Sequence, residues 1–136
     1  MTEPQGKPLP EITDFTRPFW SAAKQHKLVV QKCRHCGTLD FLPKPWCIEC
    51  GHRELDEVRP RGTIYSYTVA YTVMMNYPAW KDDLPVVQCI IDLDDGPRMY
   101  GQLTGCSPDK VRIGMPVEAY FEDISDAAAI PKFRPA

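Results

Sequence analysis

The sequence predicts a mainly β protein with an N-terminal helix, a loop-rich four-cysteine metal module and a five-stranded oligonucleotide/oligosaccharide-binding (OB) barrel. Three observations carry this. Cys-x-x-Cys-Gly occurs twice, at Cys33 to Gly37 and Cys47 to Gly51. From Gly62 onward, β-branched and aromatic runs at 62–73, 86–93, 98–104 and 117–122 alternate with turn signals, as in a small antiparallel barrel. Ahead of the cysteines, Phe15, Phe19, Ala22, Ala23 and His26 recur at helical spacing. A chain of 136 residues has room for one ordinary domain, or for two very small ones sharing a core.

Taken in order, residues 1–13 lack periodicity and carry Pro4, Pro8 and Pro10, so an extended arm is expected. Asp14 or Thr16 can cap a helix over 14–27 whose first turn holds Pro18. The metal module spans 28–60, entered by a strand at Leu28 to Lys32 and left by another at Leu55 to Arg59. The barrel occupies 61–136, including a C-terminal tail. Asp94-Asp95-Gly96-Pro97 supplies hairpin chemistry, and Ser107 to Val111 can form one helical turn between the third and fourth strands. The fifth strand is the least visible; the prolines at 131–135 suggest a linker, and the tail Ile130 to Pro135, with one aromatic, is read as folding over its own barrel ahead of docking on a partner.

Two residues between cysteines let one tight turn aim both sulfurs at a point, and the following glycine supplies the positive φ such a turn wants. Cys33, Cys36, Cys47 and Cys50 therefore close a tetrahedral, all-sulfur site with no open position. Such a site suits one structural zinc ion, or less well an electron-carrying iron. With four thiolates in place, His35 and His52 are read as exposed neighbours of the site. Cys89 and Cys106 have no histidine in the barrel half to activate them and are assigned to core packing.

Lys and Arg total 16 against 18 Asp and Glu, a net charge of −2, which disfavours nucleic acid as a partner. The cations that are present, among them Lys32, Arg34 and Arg53, gather around the metal module and could meet one phosphorylated ligand. No apolar run is long enough for a bilayer and the proline-rich start is no export signal, so a cytoplasmic metalloprotein is expected. No Ser-His-Asp set, phosphate-binding glycine loop or paired catalytic carboxylate stands out, which points to a chain that is not catalytic alone. The segment from Met74 to Pro85, with Met74, Met75, Tyr77 and Trp80, is unusually apolar for a solvated loop and suits either a docking surface or a loop folded over its own barrel.

Phe19-Trp20, the four cysteines, Gly62 to Thr68, Leu84-Pro85, Ile113 to Val117 and Phe133-Arg134-Pro135 together resemble the bacterial and archaeal family long called domain of unknown function 35 (DUF35). That resemblance implies a rubredoxin-like zinc ribbon followed by an OB fold over nearly the whole chain. It further implies a non-catalytic accessory subunit of a thiolase-like complex that makes or breaks carbon-carbon bonds in acyl-CoA thioesters. The catalytic subunit would be the partner in a hetero-oligomer, with the CoA thioester a shared ligand. On this reading Trp20, Met74, Met75, Tyr77 and Trp80 face the partner, while Lys32, Arg34 and Arg53 approach the CoA phosphates. The alternatives are a single-stranded nucleic-acid-binding protein, since both folds recur in that role, and a rubredoxin-like electron carrier.

Overall fold

The computed structural model of the chain describes residues 7–33, 35–41, 55–72 and 78–136. Helix α1 (Arg17–Lys24) is shorter than the span expected. Thr16 stands at its N-cap, yet its hydroxyl turns back to accept the Thr13 N–H at 2.9 Å, so the chain enters the helix through a turn rather than a side-chain cap. At the other end the Ala22 carbonyl accepts the Lys27 N–H, and His26 takes the left-handed φ of 60° that terminates a helix this way. The His26 ring stacks on Phe121 with centroids 5.6 Å apart.

Strands β1 (Leu28–Lys32), β2 (Leu39–Asp40) and β3 (Leu55–Val58) form an antiparallel sheet in the order β2-β1-β3. Leu28 and Val30 alternate inward on β1, as period-2 patterning requires. The second sheet is a closed five-stranded barrel of β4 (Arg61–Ala70), β5 (Val86–Leu93), β6 (Arg98–Leu103), β7 (Pro116–Asp123) and β8 (Ala129–Pro135), ordered β4-β5-β6-β8-β7. Asp94 to Pro97 makes the β5-β6 turn, and a single 3-10 turn at Pro108–Lys110 precedes β7. A register shift between Ile64 and Ser66 puts a bulge at Tyr65.

The proline-rich tail is the fifth strand, not a linker. Phe133 is fully buried in the barrel, and β8 pairs along its whole length with β7. A strand residue directs its N–H and C=O to the same side, and the Phe133 carbonyl accepts the Thr104 N–H at 2.8 Å. Pro131 and Pro135 therefore turn their missing donors toward β6, where pairing is confined to Leu103 and Phe133, while the even-numbered residues serve β7. Proline costs this strand few hydrogen bonds.

One apolar cluster runs through both sheets, joining Phe19, Leu28, Val30 and Val58 to Ile64, Ile91, Met99, Val117 and Phe133. Helix α1 lies at the junction, packed on β1 and on β7 and β8. Lys24 Nζ donates to the Ser125 carbonyl at 3.1 Å and lies 3.3 Å from Asp123, fixing the helix to the β7-β8 turn.

Candidate functional site

The first candidate is the cysteine module. Cys33 is buried directly after β1, where its N–H donates to the Thr38 carbonyl at 2.9 Å and its carbonyl accepts the Gly37 N–H at 2.7 Å. Gly37 has φ +78°, the backbone state assigned to it from the Cys-x-x-Cys-Gly pattern. Cys36 is exposed on this turn, with Sγ 3.1 Å from Thr38 Oγ1. A tight turn carrying two thiols, closed by backbone bonds and a left-handed glycine, fits half of a tetrahedral thiolate site. Cys47 and Cys50, expected to supply the other half, lie outside the described residues. Lys32 is exposed at the end of β1 beside the turn, and Arg34 and Arg53 are not among the described residues. His35 is exposed, as expected of a residue flanking the site.

The second candidate is an aromatic groove of about 310 Å³ between α1 and the barrel. Trp20 and Phe19 come from the helix, Phe41 from the segment after β2, and Trp80 from a 3-10 helix at Pro78–Asp83. Tyr100 on β6 and the opposed pair Gln88 on β5 and Gln102 on β6 make the floor. Phe19 meets Trp20 and Phe41 edge to face, with centroids 5.1 and 5.6 Å apart, a preferred aromatic geometry that holds the wall rigid. Trp20 and Trp80, both expected to face a partner, line this one groove. Met74, Met75 and Tyr77 fall outside the described residues.

Next to the groove, and sharing Tyr100 with it, the outer face of β4 to β6 carries a second cluster. The Arg98 guanidinium lies 3.5 Å from the Tyr65 ring centroid and bonds Asp92 at 2.6 Å, which raises its already high pKa. Sequence reading found tyrosines on β4 but no cation to interleave with them. The barrel brings that cation from β6, thirty-odd residues on. Phe41, Gln88, Gln102, Arg98 and Tyr100 were all missed, because they converge from separate elements and form no local motif.

Cys89 is buried on β5, and its thiol is pushed up to about 11, first by burial and then by the charge Cys106 would carry. It stays protonated at neutral pH and is no nucleophile. Cys106 is half-buried against the same core, in line with a packing role. Among the described residues, no helix is long and apolar enough to cross a membrane.

Residues 20–56 match the family model for the ChsH2 rubredoxin-like zinc ribbon domain, and residues 56–122 that for the ChsH2 C-terminal OB-fold domain. A probable enoyl-CoA hydratase alpha subunit of Thermomonospora curvata is 38% identical over 96% of this chain, which spans 40% of that protein's length. A DUF35 domain-containing scaffold protein of Methanocaldococcus jannaschii is 32% identical over 79% of this chain and 77% of its own. A solved structure of the Ltp2-ChsH2(DUF35) aldolase superposes with a TM-score of 0.79 at 36% identity, covering 93% of this chain and 98% of that one.

Proposed function

Because the chain belongs to the DUF35 family of zinc-ribbon and OB-fold proteins, we propose that it is a non-catalytic accessory subunit of a thiolase-like enzyme acting on acyl-CoA thioesters. The observation that carries this reading is the aromatic groove at Trp20 and Trp80, a rigid, half-exposed Trp-rich surface of the composition that dominates protein interfaces. The names of relatives support it, since the Thermomonospora protein is described as a subunit of an acyl-CoA enzyme and the solved structure as a two-component aldolase. In this reading the partner makes or breaks the carbon-carbon bond, and this chain supplies the docking body.

Cys33, Cys36, Cys47 and Cys50 would hold one zinc ion, which supplies a covalent cross-link between the two turns of the ribbon and no reaction step. Lys32, Arg34 and Arg53 sit in sequence beside those cysteines and would meet the phosphates of the CoA thioester. Nucleic acid is not the partner in this reading, because Arg98 on the barrel face is already held by Asp92 and the net charge is −2.

The test is an affinity purification from native lysate without chelator, with mass spectrometry and a thiolysis assay on the eluate. Recovery of a thiolase homologue, with activity that the small chain alone lacks, is expected. Recovery of nucleic acid or of a redox protein alone would overturn the reading. Within such a complex, charge reversal at Lys32, Arg34 and Arg53 should raise the apparent KM for CoA esters, and an unchanged KM removes the phosphate contact.

A further inference from the structure

The groove at Trp20 and Trp80 carries information about the chemistry of what fills it. Its cations are neutralised from within: Lys132, at the edge, is paired with Glu122, and Arg98 next to it with Asp92. An anionic ligand would have to displace those carboxylates, so the groove suits a neutral occupant. Its polar floor is a facing pair of carboxamides, Gln88 and Gln102, neither of which has a hydrogen-bond partner among the described residues. Each carboxamide offers both donors and an acceptor. Trp20, Trp80 and Tyr100 also line it, side chains that each join a flat apolar ring to one hydrogen-bond donor.

The chain's own N-terminal segment passes the same two tryptophans. Lys7 Nζ lies 4.9 Å from the Trp80 ring centroid and 2.6 Å from Asp83, which has no hydrogen-bond partner for its inner oxygen beyond this ion pair. Five residues later, Ile12 lines a shallow pocket with Trp20. Between them Pro8-Leu9-Pro10 runs without regular secondary structure from one tryptophan to the other, with Leu9 and Pro10 half-buried. A proline-containing strip therefore links the two tryptophans, and none of its residues lines the groove.

We infer that the groove is a docking track for an extended, proline-containing peptide segment of a partner protein. Such a segment has a stiff backbone whose carbonyls find no donors of their own, and it loses little entropy on binding. Flat aromatic faces take the pyrrolidine rings, and the glutamine, indole and tyrosine donors take the carbonyls. This inference shares Trp20 and Trp80 with the docking surface proposed above and rests on that reading for the presence of a partner, but its test uses this chain by itself.

Zinc-loaded full-length protein is panned against a random twelve-residue peptide library displayed on phage. Enriched peptides are then synthesised with a fluorescent label and titrated by polarisation against the wild type, the double variant Gln88→Leu/Gln102→Leu and Tyr100→Ala. Most enriched sequences should contain two or more prolines and bind at about 1 to 100 μM, and each variant should weaken binding about tenfold, as loss of one or two modest contacts predicts. All three side chains are exposed or half-exposed, and an unchanged circular dichroism melting curve identifies a variant that has kept its fold. No enrichment, enriched peptides without proline, or wild-type affinity in both folded variants overturns the inference. Recovery of a thiolase homologue from lysate with no peptide binding here would leave the accessory-subunit reading standing and remove this one alone.

Discussion

Gly101 and Gly37 are glycines for opposite reasons, and the two can be told apart by substitution. A Cβ at Gly101 would collide with the Phe133 ring, so Gly101→Ala is an overpacking change that should cost about 1 to 3 kcal/mol in urea unfolding. Trimming the obstacle in Gly101→Ala/Phe133→Leu should return part of that loss, and strictly additive effects would show that the contact is not the cause. At Gly37 a Cβ meets nothing within 4 Å, and the cost of Gly37→Ala comes from φ +78° alone, about 1 kcal/mol with no rescue from a neighbour. Only the second glycine was legible in the sequence, because the turn pattern is local and the approach of β8 to β6 is not. Cys89 makes a prediction in pH. Its native thiol, pushed up to about 11, keeps a proton that the unfolded chain releases near 9.0, so between these values the unfolded state binds fewer protons and stability falls as pH rises. The loss should approach about 1.4 kcal/mol per pH unit, and Cys89→Ala should flatten the curve from pH 9 to 10.5 relative to the wild type. Parallel curves for the two proteins would sink that assignment.

At the level of elements, the signals that were read correctly are those confined to a short stretch of chain. β1 and β5 span the residues expected of them, 28–32 and 86–93, and the Asp94 to Pro97 turn joins the strands it was expected to join. β8 escaped because proline normally excludes a strand, and only the barrel's closure shows that Pro131 and Pro135 face the short seam with β6. The helix was overextended at its start, where Thr16 bonds Thr13 and leaves the first turn without a side-chain cap. The cysteine module was legible as a motif, since spacing alone aims the sulfurs, and its metal content is open to measurement. Native protein should carry one zinc per chain by elemental mass spectrometry, and Cys47→Ser or Cys50→Ser should lose it. Iron in place of zinc, or full zinc in both variants, would contradict the ligand set. Removal of the metal withdraws folding free energy in so small a module, because the metal-bound state exists only in the folded chain.

Across the whole molecule, the decisive feature is that the two sheets do not have separate cores. Phe19, Leu28, Val30 and Val58 belong to the same apolar cluster as Ile64, Ile91 and Phe133, and α1 touches β1 on one side and β7 and β8 on the other. The His26 stack on Phe121 and the Lys24 contacts to Ser125 and Asp123 reinforce that junction. Nothing in the sequence distinguished two linked bodies from one, since the residues that merge the cores are ordinary apolar positions of the helix and β1. A shared core makes unfolding cooperative, because exposing the inner face of β1 also strips Phe19 from the barrel side. The expected outcome is one unfolding transition, seen at the same urea concentration by tryptophan fluorescence, which reports Trp46 together with Trp20 and Trp80 at the groove, and by NMR signals of the buried Ile91 methyl groups in the barrel. Chelating the metal should then lower both midpoints together, although no proposed zinc ligand lies in the barrel. If the fluorescence transition moved on chelation while the Ile91 signals held their midpoint, the ribbon would be an independent unit, and the groove between α1 and the barrel would lose its claim to be a preformed surface.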